Sequence, residues 1–124
     1  MVIVIDTSIW VDHFRAPDSR LVRLIAHDGI VQHPFVTGEI VVGNLHRRDR
    51  AIWGLRNLPR LEPVDEAAFH DFLEAAELFG TGLGFVDIHL LAATATRDKA
   101  GIWTRDRRMK EHAERLGLLS EPVG

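Results

Sequence analysis

Apolar and polar positions along the chain switch between two periods. Met1 to Ile5 is an unbroken apolar run rich in β-branched residues, ended by Asp6-Thr7-Ser8. Such a run predicts a strand buried on both faces, as in parallel sheets. The Asp-Thr-Ser string after it is helix N-cap chemistry, so a short helix should follow, with Ile9, Trp10, Val11 and Phe14 on its apolar face. Pro17-Asp18-Ser19 opens a second helix on which Leu21, Val22, Leu24 and Ile25 recur at helical spacing until Gly29. Residues 29–34 read as a short strand ended by Pro34. Helices are expected over Val36–Leu45 and Asp49–Leu58, and a short edge strand over Leu61–Val64. Asp65–Phe79 is amphipathic, with Ala68, Phe69, Phe72, Ala75, Ala76 and Phe79 marking its buried stripe. After the glycine-rich loop 80–84, a helix is expected over Val86–Thr96, a strand over Gly101–Thr104, a long helix over Arg105–Leu116 and a last strand over Leu118–Ser120.

Strands alternating with helices over short connections predict an α/β domain with a mainly parallel sheet. At 124 residues the chain is one domain, 1–124. A hydrophobic fraction of 46% against 27% charged is that of a folded globular protein. No cysteine is present, which excludes disulfide scaffolds, thiolate metal sites and cysteine nucleophiles and fits a reducing compartment. No apolar run approaches the ~20 residues of a bilayer span, and no secretory signal is expected at the N-terminus. A cytoplasmic location is the expectation.

The net charge of −3 is unremarkable, but its distribution is uneven. Residues 47–61 hold five arginines against Asp49, residues 62–96 hold seven acids and no Lys or Arg, and residues 97–115 hold seven basic residues against four acids. Two basic stretches thus flank an acidic one. They are either solvated helix faces or surfaces for a polyanion.

In open parallel sheets, chemistry gathers beyond the carboxyl ends of the strands. Asp6 and Asp106 each follow a predicted strand there, and Asp87 opens a helix after the glycine loop. Each of these three is explained by helix capping when taken alone. Glu39 is different, because it interrupts an apolar helix and must reach solvent or a polar pocket. Four carboxylates around one pocket would repel one another unless cations are bound or some stay protonated. Oxygen-only donors suit Mg²⁺ or Mn²⁺, and such a site favours phosphodiester hydrolysis.

Other motifs are set aside. The Gly80–Gly84 loop follows a helix and has neither dinucleotide-fingerprint spacing nor a P-loop lysine. The seven histidines form no His-Glu-x-x-His pair, and His89 reads as structural. No Gly-x-Ser-x-Gly elbow occurs. Ser8 stands where an aspartyl-nucleophile phosphatase would want a second acid, and Thr104-Arg105-Asp106 offers no phosphoreceiver lysine.

The strings Val2-Ile3-Val4-Ile5-Asp6-Thr7-Ser8, Glu39, Gly84-Phe85-Val86-Asp87-Ile88-His89-Leu90-Leu91-Ala92-Ala93 and Ile102-Trp103-Thr104-Arg105-Asp106 together resemble PIN-domain ribonucleases. Within that family they most resemble the VapC-type toxins of bacterial toxin–antitoxin pairs. The resemblance implies an α/β/α sandwich around a parallel sheet of about five strands. It implies a catalytic set of Asp6, Glu39, Asp87 and Asp106, with Asp6, Asp87 and Asp106 toward Mg²⁺ or Mn²⁺ and Glu39 toward the attacking water. Ser8 and Thr104 match supporting hydroxyl positions, in competition with plain capping. A metal-dependent endoribonuclease toxin, a small cognate antitoxin and a homodimer are the further implications. Arg105, Arg107, Arg108, Arg47 and Arg48 are candidates for RNA phosphates. Trp10, Trp53 and Trp103 read as core or interface residues rather than base-stacking platforms, with Trp53, beside the arginines, the one to test. The competing possibilities are a PIN nuclease of RNA processing without an antitoxin, and a non-catalytic module that retained the fold.

Overall fold

A computed structural model describes residues 1–124. Its elements run β1 (Val2–Ile5), α1 (Thr7–Arg15), α2 (Ser19–Ala26), β2 (Ile30–Val31), α3 (Pro34–Val41), α4 (Arg48–Arg56), α5 (Glu66–Ala75), α6 (Phe85–Thr96), β3 (Ala100–Trp103) and α7 (Arg107–Arg115). The strands are all parallel, in the order β2-β1-β3. The chain leaves central β1 for β2 on one side and returns to β3 on the other. The carboxyl end of β1 is therefore the point where strand order reverses and a crevice opens.

The expected five strands appear as three strands and two single parallel bridges, Gln32 with Arg60 and Ile102 with Leu119. Leu61 donates its N–H to the Gln32 carbonyl at 3.0 Å, and Ser120 donates to the Ile102 carbonyl at 2.8 Å. In each ribbon the next donor toward the sheet would be two residues on, at Pro63 and Pro122, which have no N–H. The predicted strands Leu61–Val64 and Leu118–Ser120 are cut short for that reason. Gly101 lets the second ribbon lie close, since a Cβ there would collide with the Ser120 Cβ.

Helix α3 occupies Pro34–Val41, where the sequence pointed to Val36–Leu45. Pro34 starts the helix instead of merely ending β2, since its fixed φ and missing N–H suit the first helical position. The preceding His33 accepts the Phe35 N–H at 3.0 Å through Nδ1 and so caps the helix. At the other end the Gly43 N–H turns back to the Ile40 carbonyl at 3.1 Å and closes the last turn.

The core is continuous from the sheet into the helices. Val4, Ile5, Ile9, Leu21, Val36, Leu90, Leu91, Ile102, Trp103 and Met109 are fully or almost fully buried in it. Each large apolar side chain removed from water contributes on the order of 1.5–3 kcal/mol. Burial on all sides of α6 from Ile88 to Thr94 anchors the helix whose first turn carries Asp87. No helix is long and apolar enough to cross a membrane.

Candidate active site

Asp6 follows β1 directly, and its backbone N–H continues the ladder to the Trp103 carbonyl at 3.0 Å. Its carboxylate is buried, 5% exposed. Oδ1 accepts the Thr7 N–H at 2.8 Å. Oδ2 accepts the Thr104 hydroxyl at 2.6 Å and the Ser8 hydroxyl at 3.1 Å. Both hydroxyls also accept backbone donors, Ser8 from Arg105 N–H and Thr104 from Asp106 N–H, each at 3.1 Å. Capping and pocket support, read from the sequence as alternatives, are combined here in one network. It ties the ends of β1 and β3 together and fixes Asp6.

The other three carboxylates are each held by one oxygen. Asp106 caps α7, its Oδ1 accepting the Met109 N–H at 2.9 Å. Asp87 Oδ2 accepts the Gly84 N–H at 3.1 Å. Glu39 Oε1 accepts the Thr7 hydroxyl at 2.8 Å. The second oxygen of each of these three has no protein donor. Thr7 went unnoticed in the sequence as a partner for Glu39. The available signal was a hydroxyl immediately after the strand-end acid, but its partner lies 32 positions away.

The charges of the other three acids reach Asp87. The Asp87 carboxyl is raised above the usual carboxylate range, first by its burial and then by the charges of Asp6, Asp106 and Glu39, while the Gly84 N–H pulls the other way. Four carboxylates from four parts of the sequence thus lie near the carboxyl edge of the sheet, close enough for three of them to act on Asp87. No three Asp, Glu or His side chains close on a single ion-sized point. The donor set nevertheless fits Mg²⁺ or Mn²⁺, which takes one or two carboxylates and fills its remaining positions with water and phosphate. Asp6, Asp87 and Asp106 would hold such an ion.

Behind Asp87 lies an aromatic cluster. His89 stacks on Phe69 with centroids 4.3 Å apart and meets Phe35 and Phe85 edge-on at 4.9 and 4.5 Å. It is a packing residue, as its sequence context indicated. His33 is wholly buried, and with Nδ1 accepting from Phe35 its proton sits on Nε2, which has no partner. Burial pushes its pKa down to about 4, with lesser contributions from His89 and Arg60.

The basic candidates take different positions. Arg105 forms an ion pair with Asp12 and another with Asp18 at 3.1 Å, which fastens the β3–α7 turn to α1 and the start of α2. The Arg108 guanidinium lies over Gly82, whose φ of +88° suits glycine. Arg108 thus sits on the loop leading to Asp87. Arg48 donates to the Gly43 carbonyl at 3.3 Å. Arg107 and Arg47 are exposed and form no ion pair. Trp10 and Trp103 are core residues, whereas Trp53 is 70% exposed on α4.

The family model described as PIN domain matches residues 3–115. Two proteins named Ribonuclease VapC32, from Mycobacterium tuberculosis strains CDC 1551 / Oshkosh and ATCC 25618 / H37Rv, are 38% identical to the chain over 122 residues. The match covers 98% of this chain and 98% of each relative.

Proposed function

The chain belongs to the PIN-domain family, among its VapC-type members, and from that premise we propose that it is a divalent-cation-dependent endoribonuclease serving as the toxin of a toxin–antitoxin pair. One observation carries the catalytic part: Asp6, Glu39, Asp87 and Asp106 lie close enough that, after its burial, the charges of the other three help to raise the Asp87 carboxyl. Mutual repulsion of that kind is relieved by a cation.

Bound Mg²⁺ or Mn²⁺ supplies Lewis-acid stabilisation of the phosphoryl charge and makes water more acidic. Asp6 is rigid because three donors fix its two oxygens. Asp87 and Asp106 each present a second oxygen that no protein donor occupies. Glu39, oriented by Thr7, accepts the proton of the attacking water through Oε2. The water oxygen bonds to phosphorus, the bridging oxygen leaves and takes up a proton, and no covalent enzyme intermediate forms. Arg108, above the Gly80–Gly84 loop, and the exposed Arg107 offer charge to phosphates near the crevice. The partner is a small antitoxin that closes the crevice with a basic side chain, and the protein works as a homodimer or as a complex with that antitoxin.

The test is cleavage of total RNA by the purified, antitoxin-free protein with Mg²⁺, Mn²⁺ or EDTA, alongside Asp6→Asn and Asp87→Asn. Discrete fragments that need the metal and vanish in both variants support the proposal. RNA that stays intact with folded wild-type protein under every metal refutes it.

A further inference from the structure

Glu39 and Thr7 stand at one end of a groove of about 450 Å³. Its floor is apolar, formed by Val11, Phe14, Ile40 and Leu45, and its rim carries Arg15, Asn44 and His46. A second hollow of about 300 Å³ continues from it, sharing Phe14 and His46 and adding His13, Arg47 and Arg50. The two form one track from the acidic crevice to the start of α4.

Three features single this track out. First, three exposed arginines free of ion pairs, Arg15, Arg47 and Arg50, line these two adjoining hollows. Second, Glu39 is the only acid lining either hollow, and it lies at the crevice end. The nearby Asp12 is held by Arg105. Third, Asn44 is an exposed residue lining the groove, and an amide side chain brings both donors and an acceptor there. A row of unpaired cations over an apolar floor is the combination that binds single-stranded nucleic acid, with phosphates on the rim and bases on the apolar surface. A protein segment would be served by the floor but would need acids to meet three arginines.

We propose that this track, on the nuclease reading above, holds the single-stranded RNA on one side of the scissile phosphate, with Arg15, Arg47 and Arg50 on successive phosphates and Asn44 at the edge of the first flanking base. The strand then crosses the ridge at Glu39 into the crevice. Asn44 is the specificity-determining residue of this arrangement, because an amide can both donate to and accept from a base edge.

Binding and cleavage separate the track from the catalytic chemistry. Anisotropy of a fluorescently labelled single-stranded RNA is followed in EDTA for wild type, Arg47→Gln/Arg50→Gln, Asn44→Ala and Arg97→Gln. Arg97 caps the far end of α6, away from the crevice, and serves as the control. Each phosphate contact to a single strand contributes about 0.7 to the slope of log K against log salt. Losing two contacts therefore weakens binding about 25-fold at 0.1 M salt and only about fourfold at 0.4 M. Arg97→Gln should leave affinity and slope unchanged. Cleavage in Mg²⁺ by the same proteins should show a raised KM for the double variant with kcat at saturating RNA retained. Asn44→Ala should change which base is preferred beside the cut. If the double variant binds RNA like the wild type, with the same salt slope, the track does not hold the RNA and the proposal is overturned. If the variants lose binding as expected while wild type cleaves nothing, the track stands and the nuclease reading fails.

Discussion

Thr104→Val tests whether the hydroxyl network at Asp6 organises the crevice. Thr104 is wholly buried, and valine matches its shape, so the substitution removes little besides the hydroxyl. The bond lost is the 2.6 Å donation to Asp6 Oδ2, short as expected for a hydroxyl on a carboxylate. Hydrogen bonds to charged groups contribute about 1.5–3 kcal/mol. The Asp106 N–H also loses its acceptor, but Asp106 is exposed and water replaces much of that bond. The expected cost is about 2–3 kcal/mol. For 124 residues, an unfolding entropy of about 2.1 cal/mol/K per residue converts each kcal/mol into about 4 °C. Thermal unfolding in EDTA, followed by circular dichroism, should show Tm lower by about 8–12 °C. Thr104→Ser keeps the hydroxyl and should recover most of the loss. In a double-mutant cycle Ser8→Ala should couple to Thr104→Val, since both donate to the same oxygen. A valine variant within about 1 °C of wild type, or a serine variant equally damaged, would refute this account of the network.

Asp87→Asn should raise Tm in EDTA at neutral pH. The folded Asp87 carboxyl sits above its unfolded value, so it holds its proton to higher pH when folded, and stability is lost as pH rises through that window. Asparagine removes the loss, and its advantage should vanish in acid, where both forms are neutral. His33 has the opposite sign. Its folded pKa is lowered to about 4, so its stabilising contribution is complete above the usual histidine range and is lost as pH falls toward 4. His33→Asn, which keeps a side-chain cap for α3, should flatten urea-unfolding stability across that range. Glu39→Gln should lower kcat by about 10²–10⁴-fold if Glu39 is the base, with Tm nearly unchanged because the side chain is exposed. Parallel losses of kcat and Tm would assign it a structural role.

Much of the fold was legible because burial is near-complete where the apolar runs are longest. Val2–Ile5 and Ala100–Trp103 form adjacent strands, and the helix bearing Asp87 starts at Phe85, one residue from its expected start. The edge ribbons were less legible. Their apolar residues do pack against the core, but Pro63 and Pro122 remove the donors a longer ladder needs. Pro34 was ambiguous because the same residue ends a strand and begins a helix. At the site, Asp6, Asp87 and Asp106 were visible by position at strand and helix ends. What makes them a unit was not visible. The Ser8–Thr104–Asp6 network joins residues 96 and 98 positions apart, and the Thr7–Glu39 bond joins two helices. Local charge alone marks Arg105 as a phosphate ligand, whereas its tie to Asp12 and Asp18 depends on how α1 and α2 lie against the β3–α7 turn.

The central claim is that these four carboxylates gather to hold a divalent cation against a phosphodiester. Its most direct test is Mn²⁺ binding followed by electron paramagnetic resonance at pH 7, for wild type, Asp6→Asn and Asp87→Asn, each confirmed folded by circular dichroism. Loss of free-ion signal on adding wild type, and its return in both variants, is the predicted result. Undiminished Mn²⁺ uptake by folded Asp6→Asn and Asp87→Asn would contradict the claim.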